Sequence, residues 1–431
     1  MTLVTASFVA ALCLVSIGRP AVGAATSSKA SASAHSRATQ IEDWVRSKRK
    51  EKYFSFSPGI SAVVIDPEFG SFTFGDGVQR LGSSDAVDGN TMFEIGSLSK
   101  TMTALGLSTL AAKGVLTFDD PVRKWLGEDF KLGPHEYVSA TVTVKDLMAH
   151  RSGLAEGQGE TMDGFVNTSE IIKRMAQVNP VHTFREVFDY SNTGWLLAGE
   201  VLRAASPGSD SWCAALHQEI IKPLNLSYTF CQRNEIPAAQ AAKHLAWVHK
   251  HDPCGAEGAE GLATYEFVAT GGPTDFAWGA AGASGSVISS ANDMAVVINM
   301  LLNHNNNNRN LFADKASSDQ DTPSLPTRAI LDDIMTGQMV VPGSWMRECG
   351  IATEGFLASG RASAAGLGFD IACEISPLLS PSAETPHFQP YAEKNGDTNM
   401  HKARMGLLTQ TRKGVLLLSN LGGSMGCQLT A

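Results

Sequence analysis

Three short stretches of this chain carry residue types whose spacing could do covalent chemistry. The first is Phe93-Glu94-Ile95-Gly96-Ser97-Leu98-Ser99-Lys100, running straight into Thr101-Met102-Thr103-Ala104. From Met102 the apolar or small residues Leu105, Gly106 and Leu110 recur at +3, +4 and +8, and Gly114 supplies a stop. A helix starting at Ser97 is therefore expected. Positions i and i+3 share a helix face, so Ser97 and Lys100 can touch. A serine hydroxyl is a poor nucleophile until a base takes its proton, and a lysine desolvated in a pocket can be that base. The helix N-terminus adds unpaired N–H groups and partial positive charge for a developing oxyanion. Taken alone, Ser-x-x-Lys is better explained by an N-cap serine beside a solvated lysine. Two further stretches change that reading.

The second is Phe188-Asp189-Tyr190-Ser191-Asn192-Thr193-Gly194-Trp195, which leads into a helix with Trp195, Ala198, Gly199 and Leu202 on one face. Tyr190 could relay a proton through its phenol, and Asn192 could hold a substrate amide. The third is Glu393-Lys394-Asn395-Gly396-Asp397-Thr398, just before two strand-like runs. On an edge strand it would offer a positive charge at Lys394, close backbone approach at Gly396 and an N–H at Asp397.

Ser-x-x-Lys, then Tyr-x-Asn, then Lys-x-Gly, in that order, resembles the serine β-lactamase and penicillin-binding protein superfamily. The Tyr-x-Asn form is similar to its class C branch of β-lactamases, D-Ala-D-Ala carboxypeptidases, D-aminopeptidases, esterases and eukaryotic β-lactamase-like proteases. Stretches 114–122, 144–154, 282–295 and 366–369 resemble that branch too, and the likeness runs from about Ile41 to Asn420. It implies an α/β (α+β) fold of the β-lactamase/transpeptidase type: an antiparallel sheet flanked by helices, with an inserted helical subdomain. It also implies an acyl-enzyme on Ser97, with Lys100 and Tyr190 moving protons and the N–H groups of Ser97 and Asp397 forming an oxyanion hole. Asn192 would hold the substrate's amide side chain. Lys394 would lower the Tyr190 pKa or meet a substrate carboxylate. No metal or organic cofactor is implied.

The elements that must position these residues follow from the pattern around them. A first helix is expected from about Thr39 to Tyr53, then strands Gly59–Ile65 and Ser71–Gly75, with strands Ala403–Gln410 and Val415–Ser419 closing the sheet. Residues 1–24 read as a signal peptide, 25–39 as a disordered leader and 421–431 as a short tail. The catalytic domain spans 40–420. Its α/β part is expected at about 40–116 and 296–420, and its helical part at about 117–295. The stretches Asn303–Thr327 and Ile375–Pro390 read as irregular insertions. In the resembled family a long helix follows the last strand. Leu421-Gly422-Gly423-Ser424 cannot form one, so either the gene sequence is truncated or one sheet face is partly bare.

Composition narrows the partners. The chain has 431 residues and 34 Lys+Arg against 43 Asp+Glu, a net charge of −9 that argues against nucleic acid or an anionic membrane. The basic cluster Arg46-Ser47-Lys48-Arg49-Lys50 reads as a solvated helix face. Phe8–Ile17 is too short to span a bilayer, and no other stretch could, so the chain reads as secreted; a mitochondrial presequence, normally arginine-rich, fits less well. Of seven cysteines, Cys13 lies in the signal and six remain for disulfides or buried thiols, with no spacing that suggests a metal. Asn167 and Asn225 head glycosylation triplets. His150 reads as a structural residue pinning a turn, and His182 as incidental.

The substrate is therefore expected to be a small molecule or peptide with an amide or ester bond, cleaved by a peptidase or esterase. The alternatives are a true class C-type β-lactamase or D-Ala-D-Ala carboxypeptidase, and a catalytically impaired binding protein on the same fold. The clearest departure from the resembled pattern is Asp397, with Asn399, Met400 and His401 after it. A carboxylate there either opposes an oxyanion and a carboxylate-bearing substrate, or points to solvent and is screened.

Overall fold

Alternation with period two runs through the strands that form the sheet. The computed structural model describes residues 38–47, 57–67, 70–159, 167–251, 262–265, 282–303, 325–341, 363–372, 391–398 and 400–421. The expected signal peptide and leader, most of both irregular insertions and the tail beyond residue 421 lie outside them. So do Cys254, Cys349, Cys373 and Cys427. The strands are β1 (Gly59–Asp66), β2 (Gly70–Gly77), β3 (Met92–Glu94), β4 (Val248–His251), β5 (Leu262–Tyr265), β6 (Ile288–Ser290), β7 (Met339–Val341), β8 (Ser363–Ala365), β9 (Asp370–Ala372), β10 (Tyr391–Asp397), β11 (Lys402–Leu408) and β12 (Lys413–Ser419). Eight form one antiparallel sheet in the order β2-β1-β12-β11-β10-β9-β8-β7. β3 pairs with β6, and β4 with β5.

On β1, Val63 and Ile65 join Leu416 and Leu418 of β12 in the main core, beneath a helix at Ala291–Asn303 that contributes Val297, Ile298 and Leu301. Ala62 and Val64 join Val415 and Leu417 on the opposite face. One register thus assigns every side chain to a face. Part of that opposite face is covered by the first helix. The helix α1 (residues 38–47) lays Ile41 and Val45, one turn apart, into this cluster, and its Arg46 ion-pairs with Asp76 of β2. Arg46 thus makes a docking contact while its side chain stays 40% exposed, and Lys48, Arg49 and Lys50 lie outside the described residues.

The helix α2 (Leu98–Ala112) is buried along its whole circumference from Leu98 to Leu110. A helix in that setting must satisfy its polar side chains internally. Thr101 donates to the Gly368 carbonyl, Thr103 to the Ala283 carbonyl, and Ser99 accepts the Val287 N–H. Gly114 sits at φ +69° just past the end, as its stop role requires. Helices between Arg123–Leu126 and Ala238–His244 separate β3 from β6 in sequence. One of them, α3 (Asn192–Ala205), carries the second motif and is capped by the Ser191 hydroxyl, which accepts the Gly194 N–H.

The Lys-x-Gly stretch lies where β10 passes from an interior strand to an edge. β10 is interior, paired with β11 throughout and with β9 from Tyr391 to Glu393. From Lys394 to Asp397 the register with β9 has ended, and the N-terminal approach to α2 takes the vacated side.

Truncating both α1 contacts, Ile41→Ala with Val45→Ala, should lower stability by about 2–5 kcal/mol and raise hydrophobic-dye binding as the sheet face opens. A double variant that melts like the wild type would mean that α1 does not cover this face.

Candidate active site

Ser97 is the residue before α2, with φ −63° and ψ −5°, and its side chain makes no capping bond. Its Oγ instead accepts from Tyr190 Oη at 2.6 Å and from Lys100 Nζ at 3.1 Å. The simple N-cap reading fails on this point. Lys100 is fully buried, and its ammonium also donates to Asn192 Oδ1 at 2.6 Å and to the Ser284 carbonyl at 2.8 Å. Asn192 therefore spends its carbonyl oxygen on the lysine as well as standing where it was expected to meet substrate. The Lys100 and Lys394 ammoniums lie 4.7 and 5.4 Å from the Tyr190 ring centre. Five sequence-assigned residues, Ser97, Lys100, Tyr190, Asn192 and Lys394, thus converge.

Gly396 and Asp397 complete the group through their backbone. A Cβ on Gly396 would stand 1.8 Å from the Ile95 carbonyl oxygen and 3.2 Å from Ser97 N. A Cβ on Gly96, which holds φ +52°, would stand 2.7 Å from Asp397 N. Only glycine fits at both positions, and their contact puts the Ser97 and Asp397 amides beside one gap. The Asp397 side chain is exposed and ion-pairs with Lys402, its partner in the β10–β11 register. Of the two expectations for this carboxylate, the exposed and paired side chain agrees with the solvent-facing one.

His150 was legible as structural, and its contacts say how. It holds φ +56°, stacks on Tyr190 with ring centres 4.5 Å apart, and accepts the Ser191 N–H on Nδ1 at 2.9 Å. Burial, then the charges of Lys394 and Lys100, hold its pKa well below the usual range, so the ring stays neutral. It is a wedge that sets the Tyr190 ring plane. His182 is not isolated: its Nε2 lies 2.6 Å from Asp189 Oδ2, bracing the loop before Tyr190.

Two residues of the site escaped sequence reasoning. Asp370, on β9 opposite Glu393, ion-pairs with Lys394 through both oxygens at 3.2 and 3.3 Å. The free charge expected of Lys394 is therefore already matched. Its only sequence signal was its place directly after Gly366-Leu367-Gly368-Phe369. Glu393 itself is pushed up to about 7, by burial first and then by the Asp370 charge. The second is His401, noted only as a departure from pattern. Its Nδ1 accepts the Glu94 N–H at 2.9 Å, while its own N–H donates to Thr398 Oγ1 at 3.0 Å. It ties the turn of the β10–β11 hairpin to the strand that leads into Ser97.

Among the described residues, one group of ligand-type side chains, Cys213, His217, Cys231 and Glu235, gathers its donor atoms within 4.8 Å of one another. Sequence spacing did not suggest it. Cys213 and Cys231 are joined there as a disulfide, so neither sulfur is a thiolate donor.

Residues 48–428 match the family described as Beta-lactamase. The chain belongs to that family. Its sheet-and-helix fold is also that of two solved members. The octameric penicillin-binding protein homologue from Pyrococcus abyssi is 22% identical, with 89% of this chain and 73% of that one covered at a TM-score of 0.61. A class C β-lactamase from Rhodobacter sphaeroides is 18% identical, covering 91% and 94% at 0.60. Among curated proteins, an unguisins hydrolase of Aspergillus violaceofuscus is 28% identical over 191 residues, 42% of this chain. That match spans only 33% of the hydrolase's own length. Members of the family include hydrolases, and no helix among the described residues is long and apolar enough to cross a membrane.

The buried histidines give the site a pH signature. His401 is pushed down to about 3, chiefly by burial. A group with a depressed folded pKa contributes stability that is fully present above its ordinary value, about 6.5, and is lost as pH falls toward the folded value. Glu94 and Glu393, whose burial raises their pKa values, act in the opposite direction. The readout is therefore the wild-type minus His401→Gln difference in melting temperature. It should be positive near neutral pH and shrink on acidification through about pH 6 to 4. A difference independent of pH would contradict the neutral, accepting imidazole.

Proposed function

We propose that this protein is a serine hydrolase that cleaves amide or ester bonds through an acyl-enzyme on Ser97, as an esterase or peptidase. The observation that carries it is the pair of contacts on one hydroxyl, Tyr190 Oη at 2.6 Å and Lys100 Nζ at 3.1 Å. Once the Tyr190–Lys100 pair has given up one proton to solvent, Ser97 Oγ bonds to the acyl carbon, the carbonyl π pair moves to oxygen, and the Ser97 proton passes to the vacant position on that pair. The same pair returns that proton to the departing amine or alcohol as the carbon–leaving-group bond breaks. The amides of Ser97 and Asp397 receive the oxyanion. Water then repeats the sequence on the acyl-enzyme and releases the acid. Family membership and the hydrolase among the relatives support this chemistry.

The alternative of a β-lactamase or D-Ala-D-Ala carboxypeptidase has the class C structural neighbour in its favour. It needs a cation for the substrate's carboxylate, and the Lys394–Asp370 pair counts against it. A non-catalytic binding role is disfavoured by the intact Ser97–Lys100–Tyr190 contacts. Export is supported by the apolar stretch Phe8–Ile17 and by a disulfide, which persists in oxidising compartments.

A fluorophosphonate probe should label the wild type and not Ser97→Ala. Labelling that survives the substitution removes Ser97 from the chemistry. Lys100→Ala should lose labelling yet melt cooperatively, at a cost of about 1–3 kcal/mol for the acceptors it strands. In a panel of p-nitrophenyl esters, nitrocefin and D-alanyl peptides, the neutral esters should turn over fastest. Gly396→Ala should displace the Asp397 amide and cut ester turnover by about 10²-fold or more. Unchanged turnover would take that amide out of the oxyanion hole.

A further inference from the structure

We propose that Asp370 sets the charge class of the substrate: by holding Lys394 in a buried ion pair, it makes the cleft select esters and amides with no carboxylate facing the Lys-x-Gly strand. This rests on the reading of Ser97 as nucleophile. Lys394 and Asp370 meet through both carboxylate oxygens, and their side chains are only 3% and 10% exposed. A substrate carboxylate arriving beside Lys394 faces one ammonium and one carboxylate together, so attraction and repulsion nearly cancel. Displacing Asp370 instead leaves its carboxylate buried and unpaired, which costs more than the new contact returns.

The other lysines carried by these segments offer no substitute. Lys100 already donates to Ser97, Asn192 and Ser284, and Lys402 is held by Asp397. Glu393 stands directly opposite Asp370 in the strand register, so a second acid adds to the negative side of the balance as pH rises. A neutral or cationic substrate meets none of these penalties. The geometry moves the origin of charge selection away from Asp397, which is exposed and paired with Lys402, to a residue on the neighbouring strand.

The test uses two aryl esters of phenylacetylglycine that differ only in the phenol leaving group. One carries a free meta-carboxylate and the other its methyl ester. After division by the ratio of the two esters' alkaline hydrolysis rates, the wild type should show no preference in kcat/KM for the carboxylate ester. Asp370→Asn, close in shape and without charge, should shift the ratio toward the carboxylate by about tenfold, and added salt should shrink that shift. Asp370→Ser should do the same. A wild type that favours the carboxylate ester overturns the proposal. So does a ratio that moves less than about twofold in both variants while both esters acylate Ser97, and that result leaves the hydrolase reading standing. Acylation by neither ester in the wild type overturns both.

Discussion

A lysine ammonium with no exposed surface sits at the junction of three chain segments, and the site exists because of what that burial demands. Each of its protons needs an oxygen, since an unpaired buried charge costs far more than a hydrogen bond returns. Ser97 supplies one from the start of α2, Asn192 a second from the start of α3, and the Ser284 carbonyl a third from a segment almost two hundred residues away. Removing any one acceptor would leave the ammonium short of a partner in a dry interior. Satisfying the charge and aligning the nucleophile are therefore one geometric problem. Trp195 and His150 then fill the space around Tyr190, leaving the phenol at Ser97 Oγ.

The residues that gather at the candidate site were legible because each motif is local. Ser97 and Lys100 meet by helix periodicity, and Tyr190 and Asn192 flank a cap serine whose role any Ser-x-x pattern suggests. Gly396 was legible as a place of close approach, though not that the partner would be the backbone of Ile95 and Gly96. The run Ala62 to Ile65 is apolar throughout, so only the folded sheet shows that Val63 and Ile65 meet the main core. The failures share one cause. Asp370 meets Lys394 across 24 residues of intervening chain, His401 meets Glu94 across 307, and Asp397 finds Lys402 only through hairpin register. Partners chosen by strand order carry no mark in local spacing.

Around the buried Lys100 ammonium, the charges carried by the β10 strand end are arranged in matched pairs. Lys394 with Asp370 and Lys402 with Asp397 leave the two sides of the β10 strand end balanced, although the whole chain carries a net charge of −9. Long-range attraction of an anion is weak under such an arrangement, and short-range fit must carry recognition.

The neighbour relation of β1 and β12 bears on how the molecule comes into being. Ile60 lies opposite Ser419, and Asn420 Oδ1 accepts the Gly59 N–H, so the middle of the sheet joins segments some 360 residues apart. During synthesis, β1 and β2 leave the ribosome as a lone hairpin whose further edge has no partner until nearly the whole chain has emerged. At about 5–20 residues per second that wait lasts tens of seconds. A two-stranded hairpin is barely stable alone, and its open edge invites pairing with other chains. The helical segments between can collapse earlier, but the sheet closes last, and a nascent chain of this topology depends on protection of its first strands throughout that interval.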